Sequence, residues 1–263
     1  MNNNGIFVTG TDTGVGKTVV AAALVSLFRA GGIDAVPMKP IETGCIPEAG
    51  GLVVADLQFC LNMSNLAPSP AEQRLMVPYC FEPACSPHLA AAQANETISV
   101  SRIADDYSVL KTEHDLVIVE GAGGILVPIN VKETMLDIMV GLSLPVVLVA
   151  RPWLGTINHT LLSLRELVRA GVPVLGVIFN DSRRSTTTQT LPLQGGGQGG
   201  GALLRDEIVS DNKVTIERFG NASVVAHLPF IEGIEAKSHK DFLDAYSPHL
   251  PSAKELLERI NHA

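Results

Sequence analysis

The stretch IFVTGTDTGVGKTVVAAALVSLF, residues 6–28, decides the fold class of this chain. An apolar strand pattern leads into a loop with three glycines, and the loop leads directly into a helix pattern. In this setting the backbone N–H groups of the loop and a lysine bind phosphate. Gly16, Lys17 and Thr18 supply the closing glycine, the lysine for the β- and γ-phosphates and a hydroxyl for Mg²⁺. The stretch therefore predicts a nucleotide-binding α/β protein.

The loop departs from the usual G-x-x-x-x-G-K-[ST] spacing in its first half. Thr11 stands where the first glycine is expected, with Gly10 before it, and Asp12 places a carboxylate among anion-binding groups. Two interpretations of Asp12 stay open. Its side chain can cap the turn by accepting backbone N–H bonds, or it can contact a cationic nitrogen of a second substrate.

The composition excludes several classes of protein. The chain has 263 residues, of which 46% are hydrophobic and 17% charged, which is enough apolar sequence for a core. A formal net charge of −8 without a Lys/Arg stripe argues against nucleic acid as a partner. Apolar runs stay short of the roughly 18 residues that span a bilayer, so no membrane partner is expected.

The N-terminal residues bear on the cellular location of the protein, and the spacing of its cysteines bears on their redox state. The start MNNNGIFVTG lacks the basic segment of a secretory signal, so we expect a cytoplasmic protein. Four cysteines show no C-x-x-C spacing, which favours scattered reduced thiols over a zinc site or disulfides. They are Cys45, Cys60, Cys80 and Cys85.

Short β-branched runs alternate with longer helical runs, as in parallel sheets joined by helices. The predicted strands are 6–10, 35–40, 116–121, 145–150, 174–180 and 223–229. The predicted helices are 17–30, 51–62, 87–95, 100–112, 134–141, 157–170 and 252–261. The predicted fold is a P-loop NTPase-like, doubly wound, mostly parallel sheet with helices on both faces. We expect a single domain over 1–263, with a flexible glycine-rich surface insertion at about 183–204.

Two further segments carry candidate chemistry. The strand LVIVEGAGG, 116–124, ends in Glu120, where an acid usually stands beside the magnesium of such a loop. Its glycines, Gly121, Gly123 and Gly124, allow a close approach of backbone to phosphate. In MKPIETG, 38–44, Lys39 ends a strand at the carboxyl edge of the sheet, where open α/β sheets bind ligands.

Not every candidate is convincing from the residues alone. A lysine at a strand end is as often solvated as functional, so Lys39 stays undecided at this level. Asp56, on a predicted helix, is more often part of a solvated helix face than a ligand.

The motifs taken in order resemble the dethiobiotin synthetase family. They are G-T-D-T-x-V-G-K-T, K-P-x-x-[ST]-G, S-P-H (86–88), V-E-G-A-G-G, L-G-x-I-N-H (154–159) and N-D (180–181). The resemblance extends from residue 5 to about 235, and only the combination is specific. The five-residue spacer of the loop and a glutamate at position 120 are normal for that family.

The resemblance implies an ATP-dependent carbon–nitrogen cyclo-ligase of biotin biosynthesis that acts on 7,8-diaminononanoate and CO₂ or bicarbonate. One amine would take up CO₂ as an N-carbamate, and the carbamate would attack the γ-phosphate to form a carbamic–phosphoric anhydride. The second amine would close the ring, giving dethiobiotin, ADP and phosphate. Mg²⁺ would accompany ATP, and the enzyme would be a homodimer with a shared active site.

The resemblance also implies roles for individual residues. Lys17 and Lys39 would be catalytic, and the metal ligands would be Thr18, Asp56 and Glu120. The ATP-binding set would be Gly14, Val15, Gly16, Lys17, Thr18, Val19, Asp56, Glu120, Gly121, Ala122, Gly123, Asn180, Asp181, Pro229, Phe230 and Ile231. The substrate-binding set would be Thr13, Lys39, Thr43, Gly155, Thr156, Ile157 and Asn158. Asn180 and Asp181 would read the adenine.

In the family, the substrate carboxylate binds at the start of a helix of the other subunit, which corresponds here to Leu154–Asn158. Free N–H groups at a helix N-terminus suit a carboxylate. The sequence departs from the family pattern at three places. Thr43 stands where serine is commoner, Trp153 replaces a smaller residue just before Leu154, and residues 183–204 are an unusual insertion. The insertion bears on nucleotide selectivity, because it follows the adenine-reading pair.

Three other classes fit less well. Regulatory ATPases of the septum-positioning and plasmid-partition kind share the fold but carry K-G-G-x-G-K-T, whereas this chain has Asp12 and Thr13 at the positions of the first lysine and the glycine that follows it. A glutamine-dependent amidotransferase relative would need an attached glutaminase domain, for which 263 residues are expected to leave no room. A simple binding module would not need Lys39, Glu120 and Thr18 together.

Overall fold

A parallel sheet lies at the centre of the protein. The computed structural model describes residues 4–48, 51–182 and 205–263, so the insertion predicted at 183–204 lies outside the described residues. The strands are β1 (Gly5–Gly10), β2 (Ala35–Met38), β3 (Ile41–Thr43), β4 (Ile46–Glu48), β5 (Gly51–Val53), β6 (Tyr79–Phe81), β7 (Leu116–Gly124), β8 (Val146–Ala150), β9 (Val174–Asn180) and β10 (Val224–Leu228).

Helices fill most of the connections between the strands. They are α1 (Lys17–Ala30), α2 (Ala55–Met63), α3 (Pro70–Met76), α4 (Pro87–Gln93), α5 (Val100–Glu113), α6 (Met135–Leu142), α7 (Thr156–Arg169), α8 (Arg205–Gly220), α9 (His239–Tyr246) and α10 (Ala253–Asn261). Two short 3₁₀ turns cover Ile234–Ala236 and Ser247–His249. In the ranges given above, no helix is long and apolar enough to cross a membrane.

The main sheet has the order β10-β9-β8-β1-β7-β2, and its neighbouring strands are parallel. The chain first places β2 at one edge and β7 between β2 and β1, and then adds β8, β9 and β10 on the other side of β1, so the topology reverses at β1. Ligands of open α/β sheets bind at the carboxyl ends of the strands at such a switch point. The phosphate loop, residues 10–18, follows β1 at this place, which confirms the predicted fold class.

The two faces of the sheet carry separate parts of the core. Phe7 of β1 packs with Val119 and with the helices on one face, whereas Ile6 and Val8 pack with α1 on the other. Side chains of a strand alternate between the faces, so apolar residues at every position require cover on both sides. The nearly continuous apolar runs of the sequence are therefore explained by helices on both faces.

The predicted helix over 51–62 is wrong at its start. Gly51–Val53 forms a strand that pairs antiparallel with Ile46–Glu48, and α2 begins only at Ala55. Pairing satisfies backbone groups of this exposed segment that a helical turn would otherwise satisfy. The three-residue strands β3, β4 and β6 and the helices α3, α8 and α9 were not predicted.

The residues predicted to mark helix ends lie at or next to the ends of helices in the structure. Pro87 occupies the first turn of α4 as predicted, and Ser86 lies at its N-cap without a capping bond from its side chain. Gly31 ends α1, and Gly171 follows α7 with φ +71°. A left-handed residue after a helix favours glycine, because a Cβ is strained there.

Candidate active site

The phosphate loop is held in place by the end of β9. Asn180 donates from Nδ2 to the carbonyl oxygen of Val15 at 2.9 Å, and its side chain is buried. Gly16 has φ +90°, and a Cβ at this position would lie 2.0 Å from Asn180 Nδ2. Both the backbone conformation and the contact therefore require glycine at position 16.

Lys17 extends back over the loop from the first turn of α1. Its Nζ donates to the carbonyl oxygen of Asp12 at 3.0 Å, and only 6% of the residue is exposed. Burial lowers the pKa of Lys17 to about 8, although the nearby Glu120 raises it in part. A buried ammonium with one neutral acceptor gains strongly from an added anion. The position suits a phosphate group of a nucleotide.

Asp12 makes contacts that support the turn. Its Oδ1 accepts the backbone N–H of Thr13 at 2.7 Å, and its Oδ2 lies 3.7 Å from Nη2 of Arg151. The same Nη2 donates to the carbonyl oxygen of Thr13 at 3.0 Å. Arg151 follows β8, so the strand beside β1 braces the irregular first half of the loop. Of the two interpretations of Asp12, the geometry favours stabilisation of the turn.

The register of the sheet brings Lys39 and Glu120 together. Met38 of β2 pairs with Val119 of β7, so the next residue of each strand lies side by side at the carboxyl edge. Glu120 shares its face with Ile118, which packs against the α1 side of the sheet. Thr18 is the second residue of α1, which covers this same face of the sheet. The sequence pattern alone indicated both residues, since each stands near the carboxyl end of a predicted buried strand.

Four side chains form what we call the cation cluster: Thr18, Lys39, Asp56 and Glu120. Lys39 Nζ donates to Glu120 Oε1 at 2.7 Å and to Asp56 Oδ2 at 2.5 Å. Thr18 Oγ1 donates to the same Glu120 Oε1 at 2.8 Å. Burial alone works against the charged ammonium, but Glu120 and Asp56 hold the pKa of Lys39 above its ordinary value. Lys39 therefore stays charged.

The donor set of the cation cluster fits Mg²⁺. Thr18, Asp56 and Glu120 offer hydroxyl and carboxylate oxygens, the hard ligands that Mg²⁺ prefers. In the part of the chain that the structure describes, no three His, Cys, Asp or Glu side chains are grouped to hold a metal ion. In sites for nucleotides, Mg²⁺ is commonly bound by one or two carboxylates together with phosphates of the nucleotide.

Glu42 is a residue of this region that the sequence did not indicate. Its Oε1 accepts the backbone N–H of Asp56 at 3.1 Å, at the first turn of α2, where the N-cap residue Val54 has no side-chain acceptor. Its Oε2 is buried and has no hydrogen-bond partner among the described residues. Burial, followed by the charge of Asp56, raises the pKa of Glu42 to about 7.

Glu42 thus caps the helix that carries Asp56. Because the two residues are fourteen positions apart and lie on different elements, no local pattern links them. A carboxylate at a helix N-terminus satisfies a backbone donor and interacts favourably with the helix dipole.

The glycines after Glu120 have packing reasons of their own. A Cβ at Gly121 would lie 2.9 Å from Cε1 of Phe7, and one at Gly123, where φ is +68°, would lie 2.7 Å from the side chain of Val127. Ala122 lies between them and packs against the core. Packing therefore favours glycine at both positions, and close approach to phosphate stays a prediction from the sequence.

The residues predicted to surround adenine lie together. Leu228 of β10 pairs with Asn180, and the backbone N–H of Asp181 donates to the Leu228 carbonyl oxygen at 3.0 Å. Pro229–Ile231 therefore begin next to Asp181. His227 Nε2 lies 3.4 Å from Asp181 Oδ2. The exposed ring of Phe230 gives this edge an apolar surface.

The predicted substrate contacts divide into two places. The first place adjoins the phosphate loop and Lys39. Thr13 is exposed on the phosphate loop beside Gly123, and Thr43 is the last residue of β3, four positions after Lys39. The second place is residues 154–158, which we call the carboxylate loop, at the start of α7. Gly155 is the N-cap with φ +92°, and Leu154 is 84% exposed. Thr156 is buried, whereas Asn158 is exposed and Ile157 half-buried.

Sequence comparisons place the chain among known proteins. A family model described as "AAA domain" matches residues 4–238. The chain is 44% identical over 176 residues to the ATP-dependent dethiobiotin synthetase BioD of Anaeromyxobacter dehalogenans (strain 2CP-C), covering 67% of this chain and 76% of the relative. A protein of the same name from Bacillus cereus (strain B4264) is 31% identical over 254 residues, covering 95% of this chain and 93% of the relative.

A solved structure supports the architecture. The cell division ATPase MinD of Pyrococcus furiosus aligns with a TM-score of 0.53 at 17% identity, covering 99% of each chain. At this identity the similarity concerns the fold alone, which is that of a P-loop ATPase.

Proposed function

The chain belongs to the dethiobiotin synthetase family of ATP-dependent ligases in biotin biosynthesis, and from this premise we propose its substrates and mechanism. The proposed reaction joins CO₂ to 7,8-diaminononanoate with hydrolysis of ATP, and gives dethiobiotin, ADP and phosphate. The chain would act as a carbon–nitrogen cyclo-ligase with Mg²⁺.

The observation that carries this proposal is the cation cluster beside Lys17. A protein that only binds a nucleotide needs the loop lysine and a magnesium ligand, but not a second buried lysine held between two carboxylates. A reaction that builds negative charge on a carbamate and on a transferring phosphoryl group does benefit from that second cation. The similarity to MinD does not favour a switch ATPase, because the loop has Asp12 where those proteins carry a lysine.

The proposed reaction has three bond-forming steps, at the carbon of CO₂, at the γ-phosphorus and at the carbamoyl carbon. An amine nitrogen of the substrate bonds to the carbon of CO₂ and loses a proton, and a carbamate oxygen then bonds to the γ-phosphorus as ADP leaves. The second amine nitrogen bonds to the carbamoyl carbon, a proton is lost, and phosphate leaves. Lys39 and Lys17 stabilise the charge on the carbamate and the phosphoryl oxygens. When bound, Mg²⁺ supplies charge neutralisation and orientation of the phosphates.

We assign Thr18, Asp56 and Glu120 to the cation, and the phosphate loop with Lys17 to the phosphates. Asn180, Asp181 and the segment 229–231 would bind adenine. The bond from Asn180 to Val15 supports this assignment, since it couples the adenine edge to the loop. Thr13 and Thr43 would contact the diamine or its carbamate.

The carboxylate loop of a second copy of this chain would receive the substrate carboxylate, so we propose a homodimer. The exposure of Leu154 and the glycine N-cap of α7 support this assignment. The single-domain organisation and the cytoplasmic location stay predictions from the sequence.

An assay of phosphate release tests the proposed function. The purified protein should release phosphate from ATP only when Mg²⁺, bicarbonate and 7,8-diaminononanoate are all present, and mass spectrometry should detect dethiobiotin in equal amount. Omission of each component in turn is the control. Phosphate release that does not depend on the diamine would contradict the proposal and favour a switch ATPase.

A further inference from the structure

Lys39 lies where the side chains of the cation cluster converge. Its ammonium bridges Asp56 Oδ2 and Glu120 Oε1, at 2.5 and 2.7 Å, and the residue is only 5% exposed. Asp56 has a side chain that is 38% exposed, so the cluster opens toward solvent on that side. The bridging ammonium therefore lies behind an accessible carboxylate.

An ammonium and a divalent cation both need the negative charge of the same two carboxylates, Asp56 and Glu120. Mg²⁺ binds carboxylate oxygen at about 2.0–2.1 Å, and a second positive charge within about 3 Å of the same atoms repels it strongly in a buried site. Thr18 does not share this conflict, because its hydroxyl donates its proton to the Glu120 oxygen that Lys39 also uses and still has lone pairs for a cation. The bonds of Lys39 must therefore change when a cation is bound.

We propose that Lys39 competes with the divalent cation for Asp56 and Glu120, and that its release by the cation makes Lys39 available to the carbamate and the transferring phosphoryl group. This inference rests on the proposed function, because it takes the cation site from it. Lys39 then has two successive partners. It neutralises the carboxylates first and stabilises the reacting groups only after the cation has taken its place.

The structure lets the side chain of Lys39 move while its backbone stays fixed. The Lys39 backbone N–H donates to the carbonyl oxygen of Met76 at 2.7 Å, and Pro40 restricts the chain that follows. Four side-chain torsions separate the fixed backbone from Nζ. Burial of the ion pair also explains why Lys39 is needed when no cation is bound, since two neighbouring carboxylates without a counter-charge are costly.

Competition predicts how cation affinity depends on Lys39. Without a nucleotide, the Lys39→Met variant should bind a divalent cation more tightly than the wild type, although it loses a residue needed for turnover. Removal of the competing charge should raise affinity by about tenfold or more, given the strength of charge interactions at this separation. Because MgATP brings its own phosphate ligands, the difference should shrink when ATP is present.

Mn²⁺ titrations followed by electron paramagnetic resonance measure this affinity without any turnover. The wild type, Lys39→Met, Glu120→Gln and a matched control, Lys240→Met on the exposed start of α9, are titrated at pH 8 with and without a non-hydrolysable ATP analogue. The expected result is tighter nucleotide-free binding for Lys39→Met and no change for Lys240→Met. Equal or weaker binding by Lys39→Met would overturn the competition.

The two proposals fail in different ways. If Lys39→Met does not bind Mn²⁺ more tightly but Glu120→Gln still weakens Mn²⁺ binding with the ATP analogue, the competition is wrong and the cation site stands. If Glu120→Gln has no effect, the cation site itself is wrong, and the competition with it.

Unfolding experiments cover the case in which Lys39→Met is unstable in chelator. Added Mn²⁺ should then raise its melting temperature more than that of the wild type. An equal or smaller rise would contradict the competition.

Discussion

The cation cluster and the carboxylate loop both belong to the proposed active site, but they differ in how completely one chain builds them. In the cation cluster, Lys39 and Glu120 are almost fully buried, and each contacts at least two side chains of the cluster. In the carboxylate loop, Leu154 and Asn158 are exposed, and Gly155 offers no side chain at the N-cap of α7. One chain thus builds the cation cluster completely, whereas the loop proposed to bind the substrate carboxylate is left exposed.

The difference follows from how each region is positioned. Strand register and the α1 and α2 helices place the members of the cation cluster, and a parallel sheet buried on both faces fixes such positions firmly. The carboxylate loop comprises the end of the link between β8 and α7 and the first turn of α7, and this helix N-terminus provides N–H groups that suit an anion. A second copy that covers the loop would bury Leu154 and complete the site.

The largest expected effect is the loss of turnover on replacing Lys39. Lys39→Ala should lower kcat by at least about 100-fold, the usual cost of removing one group that stabilises transition-state charge. ATP binding at the phosphate loop should be kept. Steady-state kinetics with all substrates, together with nucleotide titrations, measure both effects. A kcat within a few-fold of the wild type would show that the buried half of the site is not where chemistry occurs.

Glu120→Gln should have a smaller effect, expressed as a need for more cation. A neutral amide oxygen is a poorer ligand for a hard cation, so the Mg²⁺ concentration for half-maximal rate should rise by about tenfold. The diamine KM should change little, because the carboxylate loop is elsewhere. An unchanged Mg²⁺ dependence would make Glu120 a bystander.

Variants of Glu42 test whether the cap of α2 affects stability and cation binding by the cation cluster. Glu42→Ala removes the acceptor for the Asp56 N–H and should cost about 1 kcal/mol of stability while raising the Mg²⁺ requirement. Glu42→Gln keeps an acceptor oxygen and should largely keep both. Thermal unfolding and Mg²⁺ titrations of activity measure the pair. Equal losses in both variants would show that a hydrogen-bond acceptor at position 42 is not what counts.

The same residue predicts a pH dependence. The pKa of Glu42 is about 7 in the folded protein against 4.5 for an ordinary glutamate, so between these values the folded form holds a proton that the unfolded chain has released. The Glu42 contribution is therefore present below about pH 4.5 and is lost as pH rises through about 7. Unfolding in chelator across this range should show a slope in the wild type that Glu42→Gln reduces.

The smallest effect is expected for the glycine-rich segment predicted from the sequence. Deletion of residues 195–201 should change stability by well under about 1 kcal/mol, because loop-closure entropy depends only weakly on length. Differential scanning calorimetry of the deletion variant is the measurement. A large fall in melting temperature would contradict the interpretation of 183–204 as a surface loop, and kinetics with GTP in place of ATP would show any effect on nucleotide selectivity.

Much of the main sheet could be predicted because its strands are apolar on both faces. The six strands predicted from the sequence are those of the main sheet, and their ends differ from the observed ends by at most three residues. The pairs β3–β6 and β4–β5 escaped prediction, since three residues are too few to show a period. Gly51–Val53 shows the limit well, because its strand character depends on pairing with Ile46–Glu48.

Residues of the candidate site could be predicted where they lie at the end of a strand or helix with a clear apolar pattern. Lys17, Lys39 and Glu120 each stand at an edge of a buried element, and the sheet register brings the last two together. Glu42 and Arg151 could not be found this way. Their contacts, to the N–H of Asp56 and to the Thr13 carbonyl, join segments distant in sequence, and such contacts exist only once the chain has folded.

Subunit mixing tests most directly whether one chain prepares the cation cluster and another supplies the carboxylate loop. Gly155→Glu should be inactive because it puts charge and bulk against the substrate carboxylate, whereas Gly155→Asn, which tolerates a positive φ, should keep most activity. Heterodimers of Gly155→Glu with Lys39→Ala would contain one intact site. Mixing equal amounts under subunit exchange should therefore restore about a quarter of wild-type activity. No recovery, with heterodimers confirmed by native mass spectrometry, would place the whole site within a single chain.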